Sequence, residues 1–321
     1  MARGQRGTPA RVRGGARVGT NSGYSPVVVG GGKVRVELGR EHPGFADPAY
    51  RARRDEIAAA AFACGPEDPP PRIDYRDDEH ALWRTVCSEL RPLHRRYACT
   101  PVVEAAEALA LPVDHVPQLD EVSELLAPLS GFVYRAVAGL APLREFYGSF
   151  ARRVFHSTQY LRHPSVPLYT PEPDLVHEVV GHANQLAHPF FASVYAAVGE
   201  AVARTRSAEA LAFLSRVFWF TLEFGVVLED GEPKAYGAGL LSSFGELQVF
   251  SRAELRGLDF AAMGSTEYDI TRYQPVLFAA RSFERLEEEL ARFFGEFDDD
   301  AYRELSRTTR EAPLAGGGGR A

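Results

Sequence analysis

Two histidines five residues apart carry the clearest chemistry in this sequence, in the run His177-Glu178-Val179-Val180-Gly181-His182. Paired imidazoles with an adjacent acid are typical donors of a metal site. The spacing differs from the HExxH helix of zinc peptidases, where rings at i and i+4 lie about 40° apart on one face. At i and i+5 an ideal helix splays the rings by about 140°. They converge only if the backbone departs from ideal helix between them, and Gly181 is the residue best able to permit that. A third ligand must come from elsewhere. Glu223 is the candidate, embedded in Phe218-Trp219-Phe220-Thr221-Leu222-Glu223-Phe224. Burying a carboxylate in an aromatic run is costly unless a cation neutralises it. The plainer alternative is a helix turn that leaves Glu223 in solvent. Two His and one carboxylate form the facial triad of non-haem Fe(II) oxygenases, with open positions on the metal. The same ligands hold catalytic zinc, so their identity alone does not choose.

Positioning these groups is the task of the surrounding elements. Pro171 and Pro173 set the approach to the first histidine, and Asp174 is a good N-cap for a helix beginning near Leu175. Helical patterns cover Tyr50–Cys64, stopped by Gly65 and Pro66, and Asp77–Tyr97, whose Leu82, Val86, Leu90, Leu93 and Tyr97 form one stripe. Thr100 reads as an N-cap with Pro101 opening a helix to Leu109. Pro142–Arg153, residues 190–202 and residues 206–222 are also helix-like, and Gln274–Phe294 reads as one long amphipathic helix. Gly131–Val137 suits a short strand. Val226–Glu229 and Glu232–Tyr236 flank Asp230-Gly231, a hairpin signal. The fold class is therefore mainly α: a single catalytic domain of packed helices, with short strands and a hairpin around the metal site.

Composition agrees. The 321 residues are 45% hydrophobic and 25% charged, ordinary for a soluble globular chain. The three cysteines, Cys64, Cys87 and Cys99, form no CxxC pair and read as reduced thiols. The net charge of −7 divides unevenly: residues 1–40 carry +7 and the remainder −14. The Gly-rich basic segment 1–40 is expected to be a disordered extension, residues 41–312 the catalytic domain, and 313–321 a disordered tail. No apolar run approaches the roughly 20 residues of a membrane helix, and no secretory signal is recognisable. A cytoplasmic protein without nucleic-acid or membrane partners is the expectation.

Beyond single motifs, the sequence resembles the tetrahydropterin-dependent aromatic amino acid hydroxylases. The resemblance runs through His42-Pro43-Gly44-Phe45, Tyr50-Arg51-Ala52-Arg53-Arg54, Val116-Pro117-Gln118-Leu119 and Ala136-Val137-Ala138-Gly139-Leu140. It continues in Phe155–His163, Thr170–His182, Trp219–Gly225, Lys234–Leu247 and Tyr273-Gln274-Pro275, covering about residues 41–300. The resemblance implies that His177, His182 and Glu223 hold Fe(II) as the catalytic metal. It implies that Arg162 pairs with the substrate carboxylate, with Thr170 and Ser242 as hydroxyl contacts and Ser242 also orienting His177. Trp219 and Phe224 would wall the aromatic pocket, with Pro173 against the ring. Val137, Gly139, Leu140, Ala141 and Phe146 would form the tetrahydropterin site, Phe146 stacking on the cofactor and Glu178 acting beside it through water.

Among that family the chain is most similar to bacterial members that consist of the catalytic domain and hydroxylate L-phenylalanine at C4, giving L-tyrosine. The implied partners are an aromatic amino acid, O2 and tetrahydrobiopterin or a similar pterin. Without the long heptad-bearing terminal helix that makes tetramers in the family, a monomer or at most a weak dimer is implied. Trp219, the apolar Ile270, and His156 with Tyr169 favour phenylalanine and para attack by this resemblance. Tryptophan, or phenylalanine attacked at C3, is the alternative. Two other classes compete: a zinc hydrolase with Glu178 as general base, opposed by the i,i+5 spacing, and a non-catalytic binder of amino acids, opposed by the intact ligand set.

Overall fold

The computed structural model describes residues 16–18, 25–65, 68–270 and 272–311. Most of the segment 1–24, Pro66 and the tail 313–321 lie outside the described residues. Helices dominate, and the core gathers on Pro189–Arg204, whose Phe191, Tyr195 and Val198 are fully buried. His188 caps this helix and Pro189 occupies its first position, so a sharp start follows directly from local chemistry. It packs on Phe283–Glu296 and on the short turn Phe150–Arg152.

Among the described residues, three small sheets complete the architecture. Val133–Ala136 pairs in parallel with Val154–Ser157. The hairpin Val226–Glu229 and Glu232–Ala235 forms as its Asp-Gly turn dictates, with Asp230 and Gly231 at φ of 51° and 79°. Val276–Ala280 adds in parallel to Val226–Glu229 and pairs on its other edge with Glu254–Gly257.

Several expectations change. Gln274–Phe294 is not one helix: Val276–Ala280 is a strand, and the helix begins at Phe283 behind the N-cap Ser282. The run Val276-Leu277-Phe278-Ala279-Ala280 is apolar on every side, which suits a strand covered on both faces. A further helix, Asp299–Glu311, follows. Thr100 is the first residue of its helix, and Cys99 is the N-cap. The described part of the expected extension 1–40 is structured. Val27–Gly30 and Lys33–Val36 form a hairpin, joined by Ala16–Val18. Val27, Val36 and Leu38 bury against Ala58 of the helix Pro48–Ala63, so these few apolar residues suffice to order a Gly-rich segment. Among the described residues no single helix is long and apolar enough to cross a membrane.

Candidate active site

The helix carrying the two histidines begins at Leu175, where the Asp174 carboxylate caps the His177 N–H at 3.2 Å. From His177 to Ala183 the backbone is a π-helix. Its wider i→i+5 turn removes the splay of the ideal α-helix and brings His177 and His182 to one face. Gly181 lies in this turn but adopts no left-handed φ. Its lack of a side chain serves close packing: a Cβ there would lie 2.7 Å from the Ala238 carbonyl oxygen. A second π-turn, Trp219–Glu223, delivers Glu223 and closes with the Phe224 N–H donating to Trp219 O at 2.9 Å.

These three side chains converge. His177 Nε2 and His182 Nε2 are 3.0 Å apart. The Glu223 carboxylate lies 3.2 Å from His182 Nε2 and 3.6 Å from His177 Nε2. Neighbouring hydrogen bonds fix the tautomers. The Ser242 hydroxyl donates to the Ala238 carbonyl at 2.9 Å, so its oxygen accepts from His177 Nδ1–H at 2.9 Å. Gln185 donates its amide to Leu222 O at 2.9 Å and to Tyr236 O, which turns its Oε1 toward Tyr195. Tyr195 donates to that oxygen at 2.6 Å and accepts from His182 Nδ1–H at 2.7 Å. Both Nε2 lone pairs therefore face each other and the carboxylate, an arrangement that a cation between them resolves.

Charge states agree with ligation. Burial pushes His177 down to about 4, so its ring is neutral at ordinary pH. Burial opposes ionisation of Glu223, but His182 and then His177 outweigh it and hold the carboxyl below its usual range. Neutral imidazole and ionised carboxylate are the metal-binding forms. The residues fit a mononuclear divalent ion.

Two cavities meet at this triad. One, of about 430 Å³, is lined by Val137, Leu140, Ala141, Phe146, Glu178 and His182, and also by His177 and Glu223. The other, of about 490 Å³, is lined by Arg162, Thr170, Phe224, Ser242 and again His177 and Glu223. Pro173, Trp219 and Ile270 line both. Trp219 is locked by a 4.1 Å stack on Tyr268 and by donation from Nε1 to Gln274 Oε1 at 3.3 Å.

One expected site residue sits elsewhere, and another is in place but already partly engaged. Gly139 is not a wall of the first cavity; a Cβ there would lie 2.6 Å from Val27 Cγ2, so its small size admits the N-terminal hairpin. Arg162 lines the second cavity, but its Nε and Nη2 already form a bidentate pair with Asp174 at 2.9 and 2.8 Å. Only the Nη1 edge is left for a ligand. Sequence reading missed Tyr195 and Gln185, which orient His182, and Thr158 and Tyr268 in the first cavity. No local spacing marks them.

A two-His, one-carboxylate centre serving two adjoining cavities in a mainly helical domain defines a mononuclear metal enzyme with room for two organic ligands. The model of the biopterin-dependent aromatic amino acid hydroxylases matches residues 32–306, and the chain belongs to that family. Phenylalanine 3-hydroxylase of Streptomyces coeruleorubidus is 51% identical over 264 residues, 82% of this chain and 95% of that protein. Phenylalanine-4-hydroxylase of Bos taurus is 41% identical over 266 residues, 80% of this chain and 58% of that longer protein. The crystal structure of Chromobacterium violaceum phenylalanine hydroxylase with bound iron(III) and 7,8-dihydrobiopterin aligns at TM-score 0.67 and 29% identity, covering 82% of this chain and 92% of that one. The protein is thus an aromatic amino acid monooxygenase that uses iron and a biopterin-type cofactor.

Proposed function

We propose that the chain hydroxylates the ring of L-phenylalanine, and that oxygen enters at C3. The observation carrying the reading is the pair of cavities that share His177 and Glu223, so that two organic molecules reach one metal centre. Iron(II) and a tetrahydropterin supply the activation of O2 when bound. The protein's part is binding, orientation and exclusion of water.

In this reading the amino acid occupies the cavity of Arg162, Thr170 and Ser242, its carboxylate on the free Nη1 edge of Arg162. Its ring lies among Pro173, Trp219, Phe224 and Ile270. This wall is apolar, which favours phenylalanine over tyrosine, since a ring hydroxyl there would lose its hydrogen bonds to water. The pterin occupies the cavity of Val137, Leu140, Ala141 and Phe146. Attack at C3 is supported by the 51% identity to a 3-hydroxylase along nearly its whole length, against 41% to a 4-hydroxylase. The zinc hydrolase reading is weaker. Burial, then Glu223 and Asp174, push Glu178 above the usual carboxylate range, away from the ionised form that a general base needs.

The test is anaerobic loading with Fe(II), then O2, tetrahydrobiopterin and each of Phe, Tyr and Trp, with products separated by chromatography. The expected product is meta-tyrosine from phenylalanine. Para-tyrosine would move attack to C4, and no hydroxylation of any substrate would overturn the assignment.

A further inference from the structure

We infer that Glu246 binds the α-ammonium group of the amino acid, in the same cavity whose Arg162 takes the carboxylate. This deepens the reading above and rests on it. A zwitterion needs an anion as well as a cation from its site, and the charged side chains lining the cavity can be sorted by their partners. Arg162 is paired with Asp174 at 2.8 Å. Glu172 is paired with Arg54 at 2.8 Å and faces His42 at 3.5 Å. Glu223 faces both histidines. Arg272 is paired with Asp269 at 3.2 Å. Among the described residues, Glu246 is the charged group lining this cavity that has no ionic partner.

Its setting is deliberate. Glu246 is 5% exposed and lies in the short helix Phe244–Leu247, capped by the Ser243 hydroxyl. One carboxylate oxygen, Oε1, accepts the Gln274 N–H at 2.6 Å. Its other oxygen has no hydrogen-bond partner in the protein among the described residues. A buried carboxylate served by one neutral donor is poorly compensated, and burial pushes this one up to about 7. A substrate ammonium supplies the missing cation through a charge-assisted hydrogen bond. Glu246 is thereby a binding residue for the substrate amine, and it discriminates amino acids from arylalkyl acids of the same shape.

The competing role is structural: Oε1 anchors the backbone at Gln274 and does nothing else. Glu246→Gln separates the two, because an amide oxygen still accepts that N–H while the charge is gone. Calorimetric titration of anaerobic Fe(II)-loaded enzyme at pH 8 with L-phenylalanine and with 3-phenylpropanoate, which lacks the amine, reads the difference. The variant is expected to bind L-phenylalanine about ten- to a hundredfold more weakly, with 3-phenylpropanoate and the melting temperature nearly unchanged. Unchanged affinity for L-phenylalanine overturns the inference and leaves Glu246 as a backbone anchor. An equal loss for both ligands also overturns it, because the cavity itself has then been disturbed. If wild-type enzyme binds no aromatic amino acid, the functional reading fails together with it.

Discussion

Tyr195 holds His182 in one tautomer: its phenol oxygen lies 2.7 Å from Nδ1 and is itself committed as a donor to Gln185, 2.6 Å away. Through Gln185 the chain of bonds reaches Leu222 O, the residue before Glu223. One buried network thus orients the second histidine and steadies the backbone of the carboxylate ligand. Tyr195→Phe keeps the ring among Phe132, Phe150 and Phe218 but removes the acceptor. Iron affinity is expected to fall about ten- to a hundredfold, with the far-ultraviolet circular dichroism unchanged. Equal iron affinity in a competitive chelator titration would refute the orienting role.

The π-turn predicts a different failure at Gly181. A methyl group there would meet the Ala238 carbonyl, which also accepts the hydroxyl that orients His177. Backbone cannot yield as a flexible side chain does. Gly181→Ala should therefore lower stability by about 1–3 kcal/mol, seen in chemical denaturation, and weaken iron binding along with it. A variant as stable as wild type would show that the helix–helix approach has slack.

What was legible in the sequence is what local chemistry decides. Asp230-Gly231 announced its hairpin because the turn needs positive φ at both residues, and Asp174 announced its helix because a carboxylate satisfies the exposed N–H groups. His177 and His182 stood out as paired imidazoles beside an acid, and Glu223 because an acid in an aromatic run is costly without a cation. Gly181 was legible as the point of departure, but for the wrong reason: its conformation is ordinary, and a neighbouring carbonyl requires the space. Val276–Ala280 misled because an all-apolar run has no period, and its partner strands lie far away in sequence. Tyr195 and Gln185 were invisible for the same reason. Their function exists only once Pro189–Arg204 is laid against the π-turn.

Glu172 makes acid sensitivity a property of one buried cluster. Burial resists its ionisation. The His42 ring, the Arg54 guanidinium and the Ser25 N–H outweigh that and hold it at about 2, against an ordinary 4.5. A carboxyl depressed in the folded state stabilises the fold above its unfolded pKa, and that stability is lost as pH falls from 4.5 to about 2. The contribution at neutral pH is about 3 kcal/mol. Glu172→Gln leaves Arg54 buried and unpaired, so a loss of about 3–5 kcal/mol is expected at pH 7. Urea unfolding at pH 7, 4.5 and 3 should show the gap to wild type narrowing with acid. A gap independent of pH would sink the assignment.

Residues 1–40 were expected to be a disordered extension, and the contacts of the N-terminal hairpin argue that part of it supports the site. Ser25 donates its N–H to Glu172 at 2.8 Å, beside the wall formed by Thr170 and Pro173. Two residues on, Val27 fills the space above Gly139, next to the segment Leu140–Ala141 of the other cavity. One short segment, Ser25 to Val27, therefore braces a wall of each cavity. Deleting residues 1–35 removes the Ser25 bond and the buried Val27, and exposes Ala58. Stability should drop by a few kcal/mol, about 1.5–3 of it from burying valine, and the Michaelis constants for the pterin and the amino acid should both rise. Deleting only residues 1–15 leaves these contacts in place and should change neither. Steady-state kinetics on the two truncations decides the matter: equal behaviour of the longer deletion and wild type would return this hairpin to the status of a passive arm.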